Sequence, residues 1–393
     1  MSTPRLLFVS HSAALGGAEL YLLDVVRERP HAEVVLFEDG PLRARLEAAA
    51  VPVTVLPAAP ALLDVRKQAG LWSLLQTLPA LIGLVLRLAR RARTADLLYL
   101  NSQKAMIVGA LAGWGAGTPV VWNLHDLLTA DHFSAGTRRA AVFVANRLVD
   151  RVVVNSEATR AAFRESGGTV PTSLVYNGIH EPPAPANGDA DRAALRRALG
   201  LPDAPLVGVF SRLSAWKGQH VLIDALVTLP DVHALLVGDA LFGDDRRYAA
   251  GLRRQCEALG LRDRVHFLGF RDDVPALMRL VDVVLHTSTA PEPFGRVVVE
   301  GMLARRPVVA ARQGGVLEIV EDGVTGRLVP PGDAPALAHT LRTLLASPDA
   351  AARLAANGYT RARSAFSVSS MLDGLQDAVD ATLADNWRTT RRS

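Results

Sequence analysis

The chain has 393 residues, of which 49% are hydrophobic, and a formal net charge of +4. This length exceeds the ~250–300 residues at which a single core usually divides, so the sequence predicts two domains. The mild positive charge comes without zinc-finger spacing or a basic stripe interleaved with aromatic residues, which argues against a nucleic-acid-binding protein. The lone Cys256 excludes an internal disulfide, and residues 1–12 show a strand pattern instead of a signal sequence, so we expect a cytoplasmic protein.

Short β-branched and aliphatic runs alternate with helical patterns along the chain, which is typical of parallel strands joined by crossover helices. Residues 181–191 interrupt the alternation, because their proline and small polar residues suit a linker better than a packed element. The sequence therefore predicts two doubly wound α/β domains, whose ligands bind beyond the carboxyl ends of the strands. Predicted strands cover residues 6–10, 33–37, 53–56, 97–100, 120–122, 152–155 and 173–176, then 206–210, 234–237, 265–268, 283–286 and 307–310.

Residues 71–93 are strongly apolar, and their length alone would admit a transmembrane helix. Against a span, Gln76, Thr77 and Pro79 interrupt the apolar run, and the strand pattern requires a crossover helix at this place. Two interpretations remain: a helix packed on the core, and an interfacial helix that rests on anionic lipid. The segment closes with Arg87, Arg90, Arg91 and Arg93.

The first predicted strand runs into a turn with two adjacent glycines, Gly16 and Gly17, immediately before a helix. Glycine lets the backbone approach a ligand closely, and the unpaired N–H groups of a helix N-terminus attract anions. The pair is a candidate phosphate contact, although an ordinary strand-to-helix turn has the same composition. No dinucleotide-binding fingerprint is present, since the nearest glycine group, residues 113–117, lacks the required spacing.

The first strand of the second series leads into a loop that carries Arg212 and Lys217. The chain has only three lysines against forty arginines, so a lysine in this loop is less easily explained as a surface residue without a specific role. Arginine can fork onto phosphate oxygens and lysine supplies a compact charge, and together they suit a diphosphate leaving group. A solvated surface loop is the alternative interpretation.

The segment after the predicted strand 283–286 places Glu292 in a loop and Glu300 about two turns into the following helix. A carboxylate in the loop can accept hydrogen bonds from sugar hydroxyls, and one on the helix can accept both hydroxyls of a ribose. An unpaired buried charge on an otherwise apolar helix would be costly, so a ligand for Glu300 is expected. The N–H groups near Phe294, Gly295 and Arg296 would favour a bound anion.

These motifs together resemble the family 4 retaining glycosyltransferases of the GT-B fold, and the resemblance covers nearly the whole chain. Glu292 through Glu300 match the family's pair of carboxylates with a Pro-Phe-Gly core, and Arg212 with Lys217 match its diphosphate-binding pair. His125 matches its active-site histidine, with Asp126 placed either to orient the imidazole or to cap the next helix. Further matches are Gly16-Gly17, residues 175–179, Gln313-Gly-Gly315 with Glu318, and residues 322–326; His180 departs from the family's usual aspartate.

The resemblance implies two facing Rossmann-like domains with an interdomain cleft. Residues 1–180 would form the acceptor-side domain, 181–204 the linker and start of the second domain, 205–368 the nucleotide-sugar-binding domain, and 369–393 a helix that crosses back to the first. Base contacts would run through the backbone around residues 269–274. The implied catalytic residues are His125, Arg212, Lys217 and Glu292, and the implied donor-binding residues are Gly16, Gly17, Gly238, Phe270, Val274, Phe294, Gly295, Arg296, Val297 and Glu300.

The expected activity is transfer of a sugar, with retention, from a UDP-sugar or GDP-mannose to a glycan or lipid-linked acceptor. No cofactor and no metal are expected, because the Arg/Lys pair can neutralise the diphosphate. Contact with an anionic membrane at the inner face of the cell stays open. The alternatives are a nucleotide-sugar epimerase or hydrolase on the same fold, and a non-catalytic donor-binding partner of another glycosyltransferase.

Overall fold

The computed structural model describes residues 4–29, 31–59, 71–183, 188–240 and 243–390. The chain forms two compact units. Unit 1 comprises Met1–Gly178 and Val368–Ser393, and unit 2 comprises Ile179–Ser367. Each unit contains one parallel sheet, so the prediction of two Rossmann-like α/β domains is confirmed.

The sheet of unit 1 has seven parallel strands in the order β3-β2-β1-β4-β5-β6-β7. The strand order reverses between β1 and β4, which is the point where open α/β sheets bind ligands. The strands read as apolar runs without alternation because helices cover both faces of the sheet. They are β1 (Leu6–Ser10), β2 (Glu33–Leu36), β3 (Val53–Val55), β4 (Leu97–Leu100), β5 (Val120–Leu124), β6 (Arg151–Val154) and β7 (Thr172–Leu174).

Two cores lie on the two faces of this sheet. The first helices of unit 1 are α1 (Gly17–Arg27), α2 (Pro41–Ala48), α3 (Leu71–Ala92), α4 (Gln103–Ala116), α5 (Ala135–Leu148) and α6 (Glu157–Glu165). Side chains of α3 to α6 pack on one face in a core around Trp122. Side chains of α1 and α2 pack on the other face in a core around Phe8.

The sheet of unit 2 has six parallel strands in the order β10-β9-β8-β11-β12-β13, with the reversal between β8 and β11. Its strands are β8 (Leu206–Phe210), β9 (His233–Val237), β10 (Val265–Gly269), β11 (Val283–His286), β12 (Val308–Ala311) and β13 (Arg327–Val329). The helices are α7 (Asp189–Ala198), α8 (Gln219–Leu226), α9 (Gly243–Ala258), α10 (Val274–Leu280), α11 (Arg296–Leu303), α12 (Val316–Ile319), α13 (Ala334–Leu345) and α14 (Pro348–Ala365).

The last helix, α15 (Val368–Thr390), belongs to unit 1. Met371, Leu375 and Val379 are buried in the core that also holds α1 and α2. Unit 1 is therefore built from both ends of the chain, because residues 179–367 form unit 2 between its two parts.

Several predicted boundaries differ from the structure. The linker prediction extended to residue 191, but α7 already begins at Asp189, and residues 184–187 lie outside the described residues. Strand β5 continues to Leu124 and places Asn123 inside the sheet. The sequence did not predict β13, because its three residues begin with an exposed arginine and form no apolar run.

Helix α3 has one side in the core, where Leu84, Leu88 and Ala92 are buried. Among the residues that the structure describes, no helix has the length and apolar character needed to cross a membrane. The opposite side of α3 exposes large aliphatic side chains, at Leu78, Ile82 and Leu86.

Candidate active site

The candidate site of unit 2 lies at the carboxyl ends of β8 and β11. The loop after β8 ends in a short 3-10 helix, Ala215–Lys217, followed by Gly218. Gly218 has a φ of +69° and approaches the loop after β11 so closely that a Cβ would lie 2.0 Å from the Thr287 carbonyl oxygen. Thr287 Oγ1 donates a hydrogen bond to the Lys217 carbonyl at 2.8 Å. The two loops are thereby held against each other.

Glu292 is the centre of this region and is 6% exposed. Its Oε1 accepts hydrogen bonds from Lys217 Nζ and, at 2.7 Å, from Ser288 Oγ. His286 Nε2 lies 3.1 Å from the same oxygen. All these contacts use Oε1, and within the described residues Oε2 accepts no hydrogen bond. One oxygen is therefore fixed by the protein while the other is left for a ligand.

The charge of Glu292 follows from these neighbours. Burial alone would raise the pKa of its carboxyl. Lys217 and His286 act in the opposite sense, through charge and hydrogen bonding, and the pKa lies well below the usual range. Glu292 is therefore a buried carboxylate that stays ionised at neutral pH.

Two glycines of the segment after β12 pack against the backbone of Glu292. Gly314 has a φ of +59°, and a Cβ there would lie 2.3 Å from the Glu292 carbonyl oxygen. Gly315 donates its N–H to that same carbonyl at 2.9 Å. Gln313 Nε2 donates to the Ser288 carbonyl at 2.8 Å. The segment after β12 thus fixes the loop that carries Glu292.

Arg212 and Lys217 lie in one loop but contact different carboxylates. Arg212 Nε lies 3.4 Å from Asp245 Oδ2 on α9, whereas Lys217 contacts Glu292 and has its Nζ 4.1 Å from the Trp216 ring centroid. Gln219 Nε2 donates to the Arg212 carbonyl at 2.9 Å and ties the strand end to α8. The loop therefore presents two cations held by two carboxylates.

Other predicted donor-binding residues of unit 2 lie next to the ends of its strands and helices. Gly238, after β9, lies against the Ser211 backbone, where a Cβ would come within 2.2 Å of its carbonyl oxygen. Phe270 follows β10 and is largely exposed, and Val274 begins α10. Gly295 precedes α11 with a φ of +107°, and Val297 is partly buried in its first turn.

Two of the predicted residues have more specific environments. The Phe294 side chain is buried and packs edge-on against Phe366, with ring centroids 5.6 Å apart, so only its backbone could reach a ligand. Glu300 is partly exposed, and Arg296 Nε lies 3.7 Å from its Oε1. The unpaired buried charge that the sequence suggested for Glu300 is therefore not observed.

In unit 1, His125 follows β5 next to the reversal of the strand order. Its Nε2 lies 3.0 Å from Asn101 Oδ1 and 2.6 Å from Asn123 Nδ2, and its ring meets Tyr21 edge-on at 4.8 Å. The next helix, α5, is capped by Ser134, so of the two alternatives for Asp126 the capping role is wrong.

Gly16 and Gly17 precede α1, and their surroundings include a feature that the sequence did not indicate. Glu19 is buried, and its carboxyl lies against Gly16, where a Cβ would come within 2.7 Å of Glu19 Oε2. Burial raises the pKa of Glu19 to about 7, and the nearby carboxylates of Asp126 and Glu38 act in the same direction. The glycine turn is therefore already occupied by a carboxyl group.

Sequence reasoning missed several polar residues of both regions. Most of them end, or directly follow, a buried apolar strand. A search for polar residues at the ends of apolar strands would have found them, whereas Asp245 on α9 gave no such signal. The missed residues are Asn101, Asn123, Ser211, His286 and Ser288, with Tyr21, Glu19 and Asp245 contributed by helices.

Comparison with known proteins identifies the family. Residues 191–361 match the family described as glycosyl transferases group 1, and residues 16–178 match the glycosyl transferase 4-like domain. The crystal structure of Anabaena HepE in complex with UDP is 42% identical, with a TM-score of 0.86, over 96% of this chain and 100% of that one. The chain belongs to the group 1 glycosyltransferases. The predicted GT-B fold and the predicted membership of a glycosyltransferase family are thereby confirmed.

Curated relatives match over part of their length. Alpha-D-kanosaminyltransferase of Streptomyces kanamyceticus is 35% identical over 197 residues, 48% of this chain and 49% of that protein. D-inositol 3-phosphate glycosyltransferase of Xylanimonas cellulosilytica is 40% identical over 188 residues, 46% of this chain and 44% of that protein. The chain thus spans about half the length of the curated relatives that it matches.

Proposed function

We propose that this glycosyltransferase transfers a sugar from a UDP-sugar, with retention of configuration, to a glycan or lipid-linked acceptor. The observation that carries the proposal is the contact between Lys217 and the ionised Glu292 at the strand reversal of unit 2. Structures of the 42% identical HepE in complex with UDP and with UDP-glucose support uridine over guanosine in the donor.

The leaving group sets the first requirement of this reaction. As the bond from the anomeric carbon to the diphosphate breaks, negative charge grows on the diphosphate and positive charge on the sugar ring. Arg212 and Lys217 would stabilise the diphosphate, since fixed cations act best where charge develops in the transition state. Backbone N–H groups at the start of α11 would add to them. No metal ion is required in this scheme, and among the described residues no three His, Cys, Asp or Glu side chains form a metal-binding group.

Glu292 would act on the sugar side. Its Oε2 can accept a hydrogen bond from a sugar hydroxyl, and its charge can offset the positive ring. The acceptor oxygen then bonds to the anomeric carbon from the face that the diphosphate leaves, and the acceptor proton passes to the leaving phosphate. This route needs no covalent carboxylate intermediate, unlike a retaining glycosidase. His125 would contact the transferred sugar or the diphosphate.

The decisive experiment replaces Glu292. Glu292→Gln keeps the shape but removes the charge, so we expect transfer to fall by about 10²–10³-fold. Donor binding should persist, measured as the rise in melting temperature with UDP. Glu257→Gln, at an exposed position of α9, is the matched control and should keep full activity. Unchanged transfer by Glu292→Gln would refute the assigned role.

A ligand screen tests the donor. Because a ligand that binds only the native state stabilises it by about 2.7 kcal/mol at a hundred times its Kd, UDP should raise the melting temperature clearly and GDP should not. Product analysis with and without acceptor then separates transfer from hydrolysis or epimerisation. A larger shift with GDP than with UDP would overturn the uridine assignment.

The charge distribution of the chain supports the proposed acceptor. The first half of the chain carries the whole positive excess, with 18 Lys and Arg against 14 Asp and Glu in residues 1–180 and 25 against 25 in the rest. A lipid-linked acceptor, presented at the anionic inner face of the cell membrane, suits this distribution.

A further inference from the structure

The charge on the helices of unit 1 is segregated between the two faces of its sheet. Helices α3, α4 and α5 together carry seven Lys and Arg residues and no Asp or Glu. On the other face, α1, α2 and α15 carry seven acidic residues and four arginines. Helix α6, at the far end of the first layer, has two of each sign. One layer of the unit is thus basic without any acidic residue in three consecutive helices.

The same layer exposes large apolar side chains. On α3, Leu78, Ile82 and Leu86 are 47%, 50% and 54% exposed, and their spacing of four residues places them along one side of the helix. On α4, which packs beside α3, Trp114 is 75% exposed. On α5, Phe143 is exposed, with the Arg147 guanidinium 5.0 Å from its ring centroid.

Exposed arginines lie next to these apolar side chains on α3 and α5. Arg90 is exposed on α3 one turn after Leu86, and Arg139 is exposed on α5 one turn before Phe143. Long arginine side chains keep their charge in the headgroup region while neighbouring apolar side chains reach the acyl boundary. Two arginines of α3 are engaged elsewhere, since Arg91 pairs with Glu33 and Arg87 donates to the Pro57 carbonyl.

We propose that the exposed side of α3, α4 and α5 is a docking surface for an anionic lipid bilayer. This basic apolar face fits a bilayer better than two other partners. A second copy would bring like charges together, and a nucleic acid offers no apolar phase for three aliphatic side chains. The inference deepens the membrane contact proposed above but depends on neither the donor nor the transfer chemistry.

Vesicle sedimentation with the purified full chain tests the proposal. We expect binding to vesicles of equimolar phosphatidylcholine and phosphatidylglycerol, at least about tenfold weaker binding to phosphatidylcholine alone, and release from the mixed vesicles by salt. The triple variant L78S/I82S/L86S and the double variant R90E/R139E should each weaken binding about tenfold.

Matched controls come from unit 2. Leu317→Ser replaces a leucine that is 50% exposed, and Arg353→Glu replaces an exposed arginine of α14. Both controls should bind the mixed vesicles as the unaltered chain does. Absence of binding, equal binding to both vesicle types, or equal loss in the controls would overturn the proposal. A dimer that dissociates in L78S/I82S/L86S would assign the face to a second copy instead.

Two further measurements separate folding and catalysis from docking. Thermal unfolding should show both variants folded, because the replaced side chains lie outside the core. Transfer to a water-soluble acceptor without vesicles should stay unchanged in both variants, so a failed vesicle experiment would leave the proposed reaction intact. If the unaltered chain binds vesicles but shows no transfer, the proposed reaction is refuted and the proposed docking surface is not.

Discussion

The Glu292 carboxylate has two oxygens with different surroundings. Lys217, Ser288 and His286 all contact Oε1. His286 ends β11, and Ser288 and Glu292 lie in the loop that follows this strand. Lys217 contacts the Glu292 carboxylate from the neighbouring loop, after β8. We regard Ser288 and His286 as positioning residues, because they act on a ligand only through the orientation of Glu292.

This arrangement predicts a selective effect on turnover. Ser288→Ala and His286→Leu should each lower kcat about tenfold, because each removes a polar contact to a charged group worth ~1.5 kcal/mol. The donor KM should change little, since neither side chain is placed against the donor. Ser288→Thr keeps the hydroxyl and should restore most of kcat. Steady-state kinetics give the answer, and a rise in KM at constant kcat would contradict the positioning role.

Glu19 predicts a pH-dependent stability. Because burial raises its folded pKa to about 7, the folded state binds the proton more tightly than the unfolded chain does. Its stabilising contribution is therefore complete below the unfolded pKa of about 4.5 and is lost as pH rises toward 7. Glu19→Gln is neutral at all pH values and keeps the size and shape of the side chain.

Thermal unfolding across this pH range checks the Glu19 prediction. Glu19→Gln should match the unaltered chain near pH 4.5 and melt roughly 2–4 °C higher at pH 8. The control Glu28→Gln, at an exposed end of α1, should show no such divergence. A Glu19→Gln variant that is less stable at pH 8 would mean that favourable interactions of the carboxylate outweigh the cost of its burial.

At the scale of elements, close backbone contacts bring the loops of unit 2 together. Gly218 and Gly260 have nearly the same φ, +69° and +67°, but differ in surroundings. A Cβ at Gly218 would lie 2.0 Å from the Thr287 carbonyl oxygen, whereas a Cβ at Gly260 would meet nothing within 4 Å. The two positions therefore separate the strain of a positive φ from the cost of forcing two loops apart.

Gly260→Ala should lose only about 1 kcal/mol of unfolding free energy, the cost of the left-handed conformation. Gly218→Ala should lose about 1–3 kcal/mol more, the cost of overpacking, and should also lower transfer because it displaces Lys217 from Glu292. Chemical denaturation and activity assays of both variants measure these effects. Equal losses of unfolding free energy in the two variants would show that the close approach of Gly218 to Thr287 does not add to the cost of the substitution.

The strand pattern was predictable because buried parallel strands form continuous apolar runs, as in Leu97–Leu100 and Val283–His286. The family resemblance and the loop positions of Lys217 and Glu292 could also be predicted from the sequence. The ends of helices and strands were harder to predict, because tertiary contacts determine them. Helix α7 starts inside the predicted linker, with Gly188 as its N-cap.

The contacts within the site could not be read from the sequence. Lys217 and Glu292 are 75 positions apart, and their contact depends on the packing of Gly218 on Thr287. The pairing of Arg212 with Asp245 likewise depends on where α9 lies relative to β8. The burial that raises the pKa of Glu19 is a property of the folded unit, so sequence position alone gave no sign of it.

At the scale of the whole molecule, the two units distribute their charge differently. Residues 181–393 carry equal numbers of acidic and basic residues, and the cations of the candidate donor site are held by specific carboxylates. In unit 1 the excess positive charge is concentrated in one helical layer. The localised cations of unit 2 thus suit recognition of a small anion, whereas the basic layer of unit 1, whose three helices contain no acidic residue, suits an extended anionic surface.

This distribution predicts that transfer does not depend on a divalent metal. Enzymes that hold Mg²⁺ on a diphosphate use carboxylates beside it, and here Glu292 and Asp245 contact Lys217 and Arg212 instead. Adding EDTA to the purified enzyme should leave kcat within about twofold of its value, because the two cations supply the neutralising charge. Loss of transfer with EDTA, restored by Mg²⁺ or Mn²⁺, would show that the cations alone cannot stabilise the leaving diphosphate.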